Sequence, residues 1–357
     1  MSENDASIDM QGAYCPIPLQ QTETIVIGHG SGGKMMHDLI ANVFASTFQN
    51  PILGEGNDAG RIQIEYAGQF AISTDAHVVK PLFFPGGDIG KLAVCGTVND
   101  VAMLGATPQY LTAGFILEEG LSVEILLRVV NSMQEAANEA NVKIIAGDTK
   151  VVEKGKADGL YITTAGFGTI FPKAKAIGGQ YAQPGDKVIV SGTIGDHGIA
   201  VLSARGDLGF EAMIESDVAP LNGMIADIVM ASDHVHVLRD PTRGGVATTL
   251  NEIAQQSNVS IMLSENTIPV NTAVKSACEM LGFDPLYIAN EGKLIVIVSE
   301  EDAPKIMDTM HKHRYGKNAT IIGEVTEEPA GRVLMKTIIG SHRVVDTLAG
   351  EMLPRIC

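Results

Sequence analysis

Tryptophan is absent from this 357-residue chain, and aromatic residues as a whole contribute only 5%. Glycine is plentiful at 39 residues, a mix that suits an α/β protein with many tight turns and backbone-lined sites. Basic residues are also in short supply. Lys and Arg number 25 against 42 Asp and Glu, for a net charge of −17. That balance argues against a nucleic-acid surface, which requires clustered cations, but leaves a nucleotide open, because carboxylates reach phosphates through Mg²⁺. The four cysteines, Cys15, Cys95, Cys278 and Cys357, are scattered and form no CxxC pair. Neither a zinc site nor a disulfide framework is indicated, and a reducing cytoplasm fits best. No apolar run approaches the roughly 18 residues of a membrane span. The opening "MSENDASIDMQGAYCPIPLQ" has neither a basic start nor an apolar core, so it is not expected to act as a secretory signal. The final residue is Cys357, whereas a prenylation motif places its cysteine fourth from the end. That route to a membrane is closed.

What remains is a globular composition, 45% hydrophobic and 19% charged, on a chain long enough for two domains. Residues 1–23 read as a mobile segment. "TETIVIG" is expected to be a short strand and "MMHDLIANVFASTF" an amphipathic helix. "IGKLAVCGTVNDVAMLG" has a helical period, with Gly96 expected to interrupt it. "SVEILLRVVNSMQEAANEA" is the clearest helix, capped by Ser122. It leads into a strand, "VKIIAGDT", that is expected to stop at Gly-Asp. A Gly/Pro-rich turn near residue 178 marks a boundary, after which strands and helices begin afresh. The expectation is α/β (α+β): an N-terminal domain over 24–177, a C-terminal α/β domain over 178–348, and a flexible tail over 349–357. Nine extended residues reach at most about 30 Å, enough for Cys357 to visit a site on its own chain or to meet a partner.

"GHGSGGK", Gly28 to Lys34, resembles a phosphate loop, but Met35 stands where Ser or Thr would hold Mg²⁺. A glycine-rich flap over a ligand, with Gly32 and Gly33 at its centre, is the better reading. Acidic residues recur at expected strand ends and helix starts: Asp58 in "GEGNDAG", Asp75 in "STDA", Asn99-Asp100 in "TVNDVAM", Asp148 in "AGDTK" and Asp240 in "RDPTRGG". Each alone is ordinarily a turn or cap residue. Jointly they are what a Mg²⁺-polyphosphate site uses, and "RDPTRGG" adds arginines and a helix start suited to an anion. Cys95 and Cys278 fall in helical patterns and read, with Cys15, as inert. His29, His77 and His197 receive no role beyond ligand contact.

The order of "GNDAG", "STDAHVV", "GKLAVCGTVNDVAMLGATP", "AGDTK" and "RDPTRGGVATTLNEIA" resembles the aminoimidazole-ribonucleotide synthetase-like superfamily. Within it, "HGSGGK", "PLFFPGGDIGKLAVCGT", "GDTKVVEKG", "SGTIGDHG", "ANEGKL" and the ending "LPRIC" are similar to the hydrogenase-maturation carbamoyl dehydratases, from about Thr24 to Cys357. Asn57 departs from the second Asp common in the superfamily. The resemblance implies ATP-dependent dehydration of a carbamoyl group carried on Cys357, thiocarboxamide to thiocyanate, the cyanide then passing to the iron of [NiFe] hydrogenase. It implies ATP and Mg²⁺ at Asp75, Asp100 and Asp148, with Asp58 and Asp240 as further contacts, and Glu291 as a base. Lys150 would either orient Glu291 or stabilise charge on the oxygen. Arg355 would dock the tail or keep it soluble. Implied partners are a second copy through the N-terminal domains, a carbamoyltransferase that loads Cys357, and an iron-carrying maturation scaffold that accepts cyanide. Two rivals stand beside this reading. One is another ATP-dependent enzyme of the superfamily, a small-molecule kinase or selenophosphate synthetase; the other is a nucleotide-binding scaffold with a docking tail.

Overall fold

The computed structural model describes residues 23–31, 34–55, 60, 62–65, 68–174, 176–206 and 214–347. The expectations for residues 1–22, Gly32, Gly33, Asn57, Asp58, Cys15, Arg355, Cys357 and the 349–357 tail therefore lie outside the described residues.

The first half comprises α1 (Lys34–Leu39), β1 (Phe70–His77), a hairpin of β2 (Phe83–Phe84) and β3 (Gly87–Asp88), α2 (Ile89–Ala102), β4 (Ala106–Glu118), α3 (Val123–Ala140), β5 (Lys143–Val152) and β6 (Leu160–Ile170). Four of these strands form a sheet in the order β1-β6-β4-β5, with β4 and β5 parallel and the other pairs antiparallel. Along β4 the side chains alternate, so Leu111, Ala113, Phe115 and Leu117 enter the core while Ile116 stays exposed on the other face. The buried face packs on α2 and α3. Helix α3 starts where Ser122 accepts the Glu124 N–H, and it ends at Asn141 in the left-handed region, φ 56°. Helix α2 is buried around nearly its whole circumference, and its N-cap Asp88 accepts from the Gly90 and Lys91 amides. A Cβ at Gly90 would stand 2.3 Å from the Val129 carbonyl oxygen, so the glycine is what lets α2 approach α3 at backbone distance.

Three expectations are corrected here. "TETIVIG" is not a strand: Thr24 makes an isolated bridge to Ser122, and Ile27–Gly30 forms a 3₁₀ turn. Ile25 exchanges backbone hydrogen bonds with Gly120 and Leu121, which anchors it to the loop before α3 instead of to a sheet edge. Gly96 does not interrupt α2, because the absence of a side chain there accommodates β1 rather than freeing the backbone. Strand β5 runs on through Gly147-Asp148 to Val152, held by continued pairing with β4.

The second half comprises β7 (Lys187–Val190), α4 (Asp196–Ala204), α5 (Asn222–Ala231), β8 (Val235–Arg239), α6 (Gly245–Ser257), β9 (Ser260–Ser264), α7 (Thr272–Leu281), β10 (Ile295–Val298), α8 (Ala303–Lys312), β11 (Thr320–Thr326), β12 (Arg332–Lys336) and β13 (His342–Val345). Its seven strands lie in the order β13-β12-β9-β11-β7-β10-β8. All four residues of β10 are buried, as befits a strand covered on both faces. Ile295 and Ile297 pack with α6 on one side, while Val296 and Val298 pack with α5 and α8 on the other. The fold is thus mixed α/β, and no described helix is long and apolar enough to cross a membrane.

Asn99 of α2 ties the two halves together. Its carbonyl oxygen accepts the Leu221 N–H at 2.8 Å and its amide donates to the Ala219 carbonyl at 3.0 Å. It is 1% exposed, so its amide serves this joint rather than a nucleotide, which corrects the expectation for Asn99. Asn99→Ala leaves a buried N–H and a buried carbonyl unpaired and is expected to cost about 1–3 kcal/mol in urea unfolding. A loss below about 0.5 kcal/mol would refute this account of the joint.

Candidate active site

Two regular spacings bring the first carboxylates together. Residues i and i+2 of a strand share a face and lie about 6.6 Å apart; residues i and i+4 of a helix lie about 6 Å apart on one side. Ser73 and Asp75 of β1 therefore match Asp100 and Gly96 of α2. Ser73 Oγ donates to Asp100 Oδ2 at 2.9 Å. Asp75 lies over Gly96, where an added Cβ would approach its Oδ2 to 3.3 Å and the His77 ring to 3.1 Å. His77 is buried behind it, with Nε2 3.6 Å from Asp75 Oδ2 and 3.3 Å from Thr164 Oγ1. Burial holds the His77 pKa below its ordinary value of 6.5.

The second half supplies the opposite wall. Asp240, Thr242 and Arg243 follow β8, and Glu291 lies in the loop before β10. These loops are fastened by Asn290, whose Oδ1 accepts the Gly195 N–H at 2.8 Å and whose Nδ2 donates to the Pro241 carbonyl at 2.9 Å. Asp217 accepts the Glu291 and Gly292 amides at 3.2 Å each. The result is a cavity of about 200 Å³ lined by Asp75, Asp100, Asp240, Glu291, Arg243 and backbone around Gly96.

Electrostatics follow from the crowding. Glu291 is 5% exposed and its Oε1 has no hydrogen-bond partner among the described residues. Burial, then Asp240, Asp217, Asp75 and Asp100, raise its pKa well above 4.5. Burial first and the Asp100 charge second push Asp240 up to about 7. Asp100 is raised for the same two kinds of reason, burial and then Asp75, against the opposing hydrogen bond from Ser73.

Asp148 and Lys150 are not part of this cluster within the chain. Lys150 Nζ lies 2.8 Å and 2.9 Å from the two Asp148 oxygens, on an exposed stretch of β5, and this pairing lowers the Asp148 pKa. The sheet order explains the separation: β1 and β5 are opposite edges, about 14 Å apart at roughly 4.8 Å per strand spacing. The expectation that Lys150 neighbours Glu291 is thus corrected for the single chain. Asp148 instead borders an apolar pocket of about 110 Å³ with Phe44, Phe48 and Phe115.

Among the described residues, no three acidic, histidine or cysteine side chains converge closely enough to hold a metal by themselves. The oxygen-only donors and the unpartnered Glu291 oxygen nonetheless suit Mg²⁺, which typically takes one or two carboxylates and completes its shell with phosphates and water. Asp217 and Asn290 were not foreseen as supports. Asn290 belongs to the quoted "ANEGKL", whereas nothing in the local sequence marks Asp217.

The paired α/β halves and the acid-lined cavity between them define an AIR synthase-related protein. The model of the AIR synthase related protein N-terminal domain matches residues 56–170, and that of the C-terminal domain matches 183–336. The carbamoyl dehydratase HypE of Azotobacter vinelandii is 52% identical over 329 residues, 92% of this chain and 96% of that protein. A crystal structure of the hydrogenase maturation protein HypE in complex with ATP superposes with a TM-score of 0.90 at 50% identity, covering 94% of this chain and all of that one. A HypE–HypF complex matches at 52% identity with a TM-score of 0.76, covering 87% of this chain and 99% of that one. The chain belongs to the HypE family.

The raised Asp240 pKa has a sign that can be checked. The folded protein holds this proton more tightly than the unfolded chain, so between 3.8 and about 7 the unfolded state ionises first and the folded state loses stability as pH rises. Asp240→Asn removes that charge. In scanning calorimetry without ligand it is expected to raise the thermal midpoint at about pH 8 and to leave it nearly unchanged at about pH 4. An equal change at both pH values would contradict the burial of an unwilling charge at this position.

Proposed function

We propose that this chain catalyses the ATP-dependent dehydration of a carbamoyl group on Cys357, converting an S-carboxamide to a thiocyanate for delivery to hydrogenase iron. Family membership supports the class of reaction, and the observation that carries the residue-level reading is Glu291: a buried carboxylate with an unpartnered oxygen, sharing a cavity with three aspartates.

The reaction removes the carboxamide oxygen and both protons on nitrogen. An unactivated amide oxygen, which would have to depart as hydroxide or oxide, is a poor leaving group, so it departs on phosphate, and ATP supplies the phosphoryl group for that exit. Glu291 is the base for the nitrogen protons. In the ligand-free cavity burial first, and its acidic neighbours second, raise its pKa and favour the protonated form. Cationic charge that offsets the negative field of those neighbours lowers its pKa again, and the carboxylate that then forms sits in a water-poor site, where it is a strong acceptor. Asp217 and Asn290 fix its loop, and Arg243 faces developing phosphate charge. Asp75, Asp100 and Asp240 would hold Mg²⁺, which when bound neutralises phosphate charge. Cys357, the last residue of the sequence, would be loaded at a carbamoyltransferase and brought to this cavity, and the cyanide would pass to an iron-carrying scaffold. The related HypE–HypF complex supports the first of these encounters. The cytoplasm is the proposed compartment.

Asp148 and Lys150 enter through a homodimer. Phe70 and Ile72 of β1 and Ile116 of β4 expose apolar surface on the sheet, Ile72 being 75% exposed. Two such sheets meeting edge to edge would set β5 of the second protomer beside β1, closing the gap that separates Lys150 from Glu291 within one chain. This placement also brings the apolar pocket beside Asp148 to the acid cavity, as a seat for the nucleotide base.

The decisive measurement is the mass of the C-terminal peptide after cyanate carbamoylation of the thiol and addition of Mg-ATP. Loss of one water is expected in the wild type. Glu291→Gln should slow it by roughly 10²–10⁴-fold with ATP binding retained. ATP turnover that persists in Cys357→Ala would point instead to a small-molecule substrate, as in the kinase or selenophosphate synthetase reading. ATP binding without any turnover would favour the scaffold. A second experiment mixes inactive Glu291→Ala and Lys150→Ala chains. If the site is shared across a dimer, random pairing restores about a quarter of wild-type activity, since half the dimers carry one intact site of two. No recovery, with exchange of protomers demonstrated, would place the working pair within one chain.

A further inference from the structure

Glu291 and Lys293 flank Gly292 and serve two different cavities. Glu291 lines the acid cavity, while Lys293 lines a second cleft of about 280 Å³ together with Lys91, Arg314 and Lys317. The lining itself carries these four cations against the two carboxylates of Glu215 and Asp217, in a chain whose net charge is −17. The cleft lies where the halves meet, with Lys91 coming from α2 and the other three cations from the second half.

Its floor is built rather than incidental. The side chain of Lys293 is 12% exposed, and its ammonium sits 3.3 Å from Asp217 Oδ2 and 3.8 Å from Asp196 Oδ2. The stem lies over Gly192, where an added Cβ would stand 3.4 Å from Lys293 Cε. The other cations are differently disposed. Arg314 is engaged by Glu139, and Lys91 donates to the Gly86 carbonyl at 3.1 Å. Lys317 is exposed and makes no ion pair among the described residues. The cleft therefore gathers cationic donors from separate elements, and Lys91 and Lys317 form no ion pair among the described residues. A tetrahedral dianion, which accepts from several directions at once, matches that arrangement.

We propose that this cleft binds a small phosphate-bearing anion at a site separate from the acid cavity, and that its occupancy acts on Glu291. The connection is Asp217. Its carboxylate holds the Glu291 and Gly292 amides and the Lys293 ammonium together, so an anion that draws on Lys293 competes for a group that positions the Glu291 loop. The proposal does not depend on the dehydratase reading, because it concerns a different cavity.

Inorganic phosphate is the probe, titrated into the full chain by calorimetry at constant ionic strength with EDTA present, so that the acid cavity carries no divalent charge. Saturable binding is expected, weakened about tenfold or more by Lys317→Glu and by Lys91→Glu, and retained in Asp100→Asn. Both altered lysines lie outside the buried core, and matching thermal midpoints would show that the variants fold; Lys317→Gln provides a milder second substitution. Amide exchange at Glu291 and Gly292 is expected to change on phosphate addition in the wild type but not in Lys317→Glu. In a second arm, ADP that competes with phosphate identifies the phosphates of a nucleotide as the ligand group, whereas ADP without effect identifies free phosphate. Absence of saturable binding, binding indifferent to both lysine substitutions, or binding lost in Asp100→Asn but kept in Lys317→Glu would each overturn the proposal.

Discussion

Carboxylates gathered in one poorly hydrated cavity repel one another, and the rest of this molecule is arranged around tolerating that repulsion. Asp75 and Asp100 approach across the β1–α2 contact, Asp240 and Glu291 approach from the second half, and among the described residues none of the four forms an ion pair with Lys or Arg, Arg243 being the one cation in the lining. Taken alone this costs stability, and protonation of Asp240 and Glu291 relieves part of the cost. The same tension favours compensating positive charge in the cavity, and under the proposed function Glu291 would act as a base only when that charge is present. In that proposal, binding and catalysis are linked through one electrostatic constraint.

Holding such a site together falls to neutral and paired groups nearby. Asn99 bridges the halves through backbone groups, Asn290 fastens the loops on either side of the cavity, and Asp217 fixes the Glu291 loop while meeting the charge of Lys293. Gly96 and Gly90 let β1 and α3 crowd onto α2, and that crowding places Asp75 next to Asp100. Lys293 marks the change of sign between the acid cavity and the cationic cleft behind it.

Much of the local architecture was legible in the sequence. The apolar period and the Ser122 cap of α3, and the strand–helix succession of the second half, correspond to elements in the structure. Misreadings arose where tertiary contact overrides a local signal. Gly96 looks like a break but is a contact point, and Gly147-Asp148 looks like a strand end but is carried through by pairing with β4. "TETIVIG" has strand composition, yet it finds its hydrogen bonds on a loop. Asn99 reads as a ligand contact because it precedes Asp100, but along a helix adjacent residues point about 100° apart, and it faces the other half.

The sequence alone determined the kinds of group available: a surplus of carboxylates, glycines at close approaches, an acidic residue in each of several motifs, and a thiol as the last residue. Those features are chemical and survive without coordinates. Only the tertiary structure decided which carboxylates share a cavity. Asp75, Asp100, Asp240 and Glu291 meet because a strand repeat of two matches a helix repeat of four and because two loops of the second half are tied together. Asp148 and Lys150 are set apart because β1 and β5 are opposite edges of their sheet, a distance that strand order imposes and that no motif records.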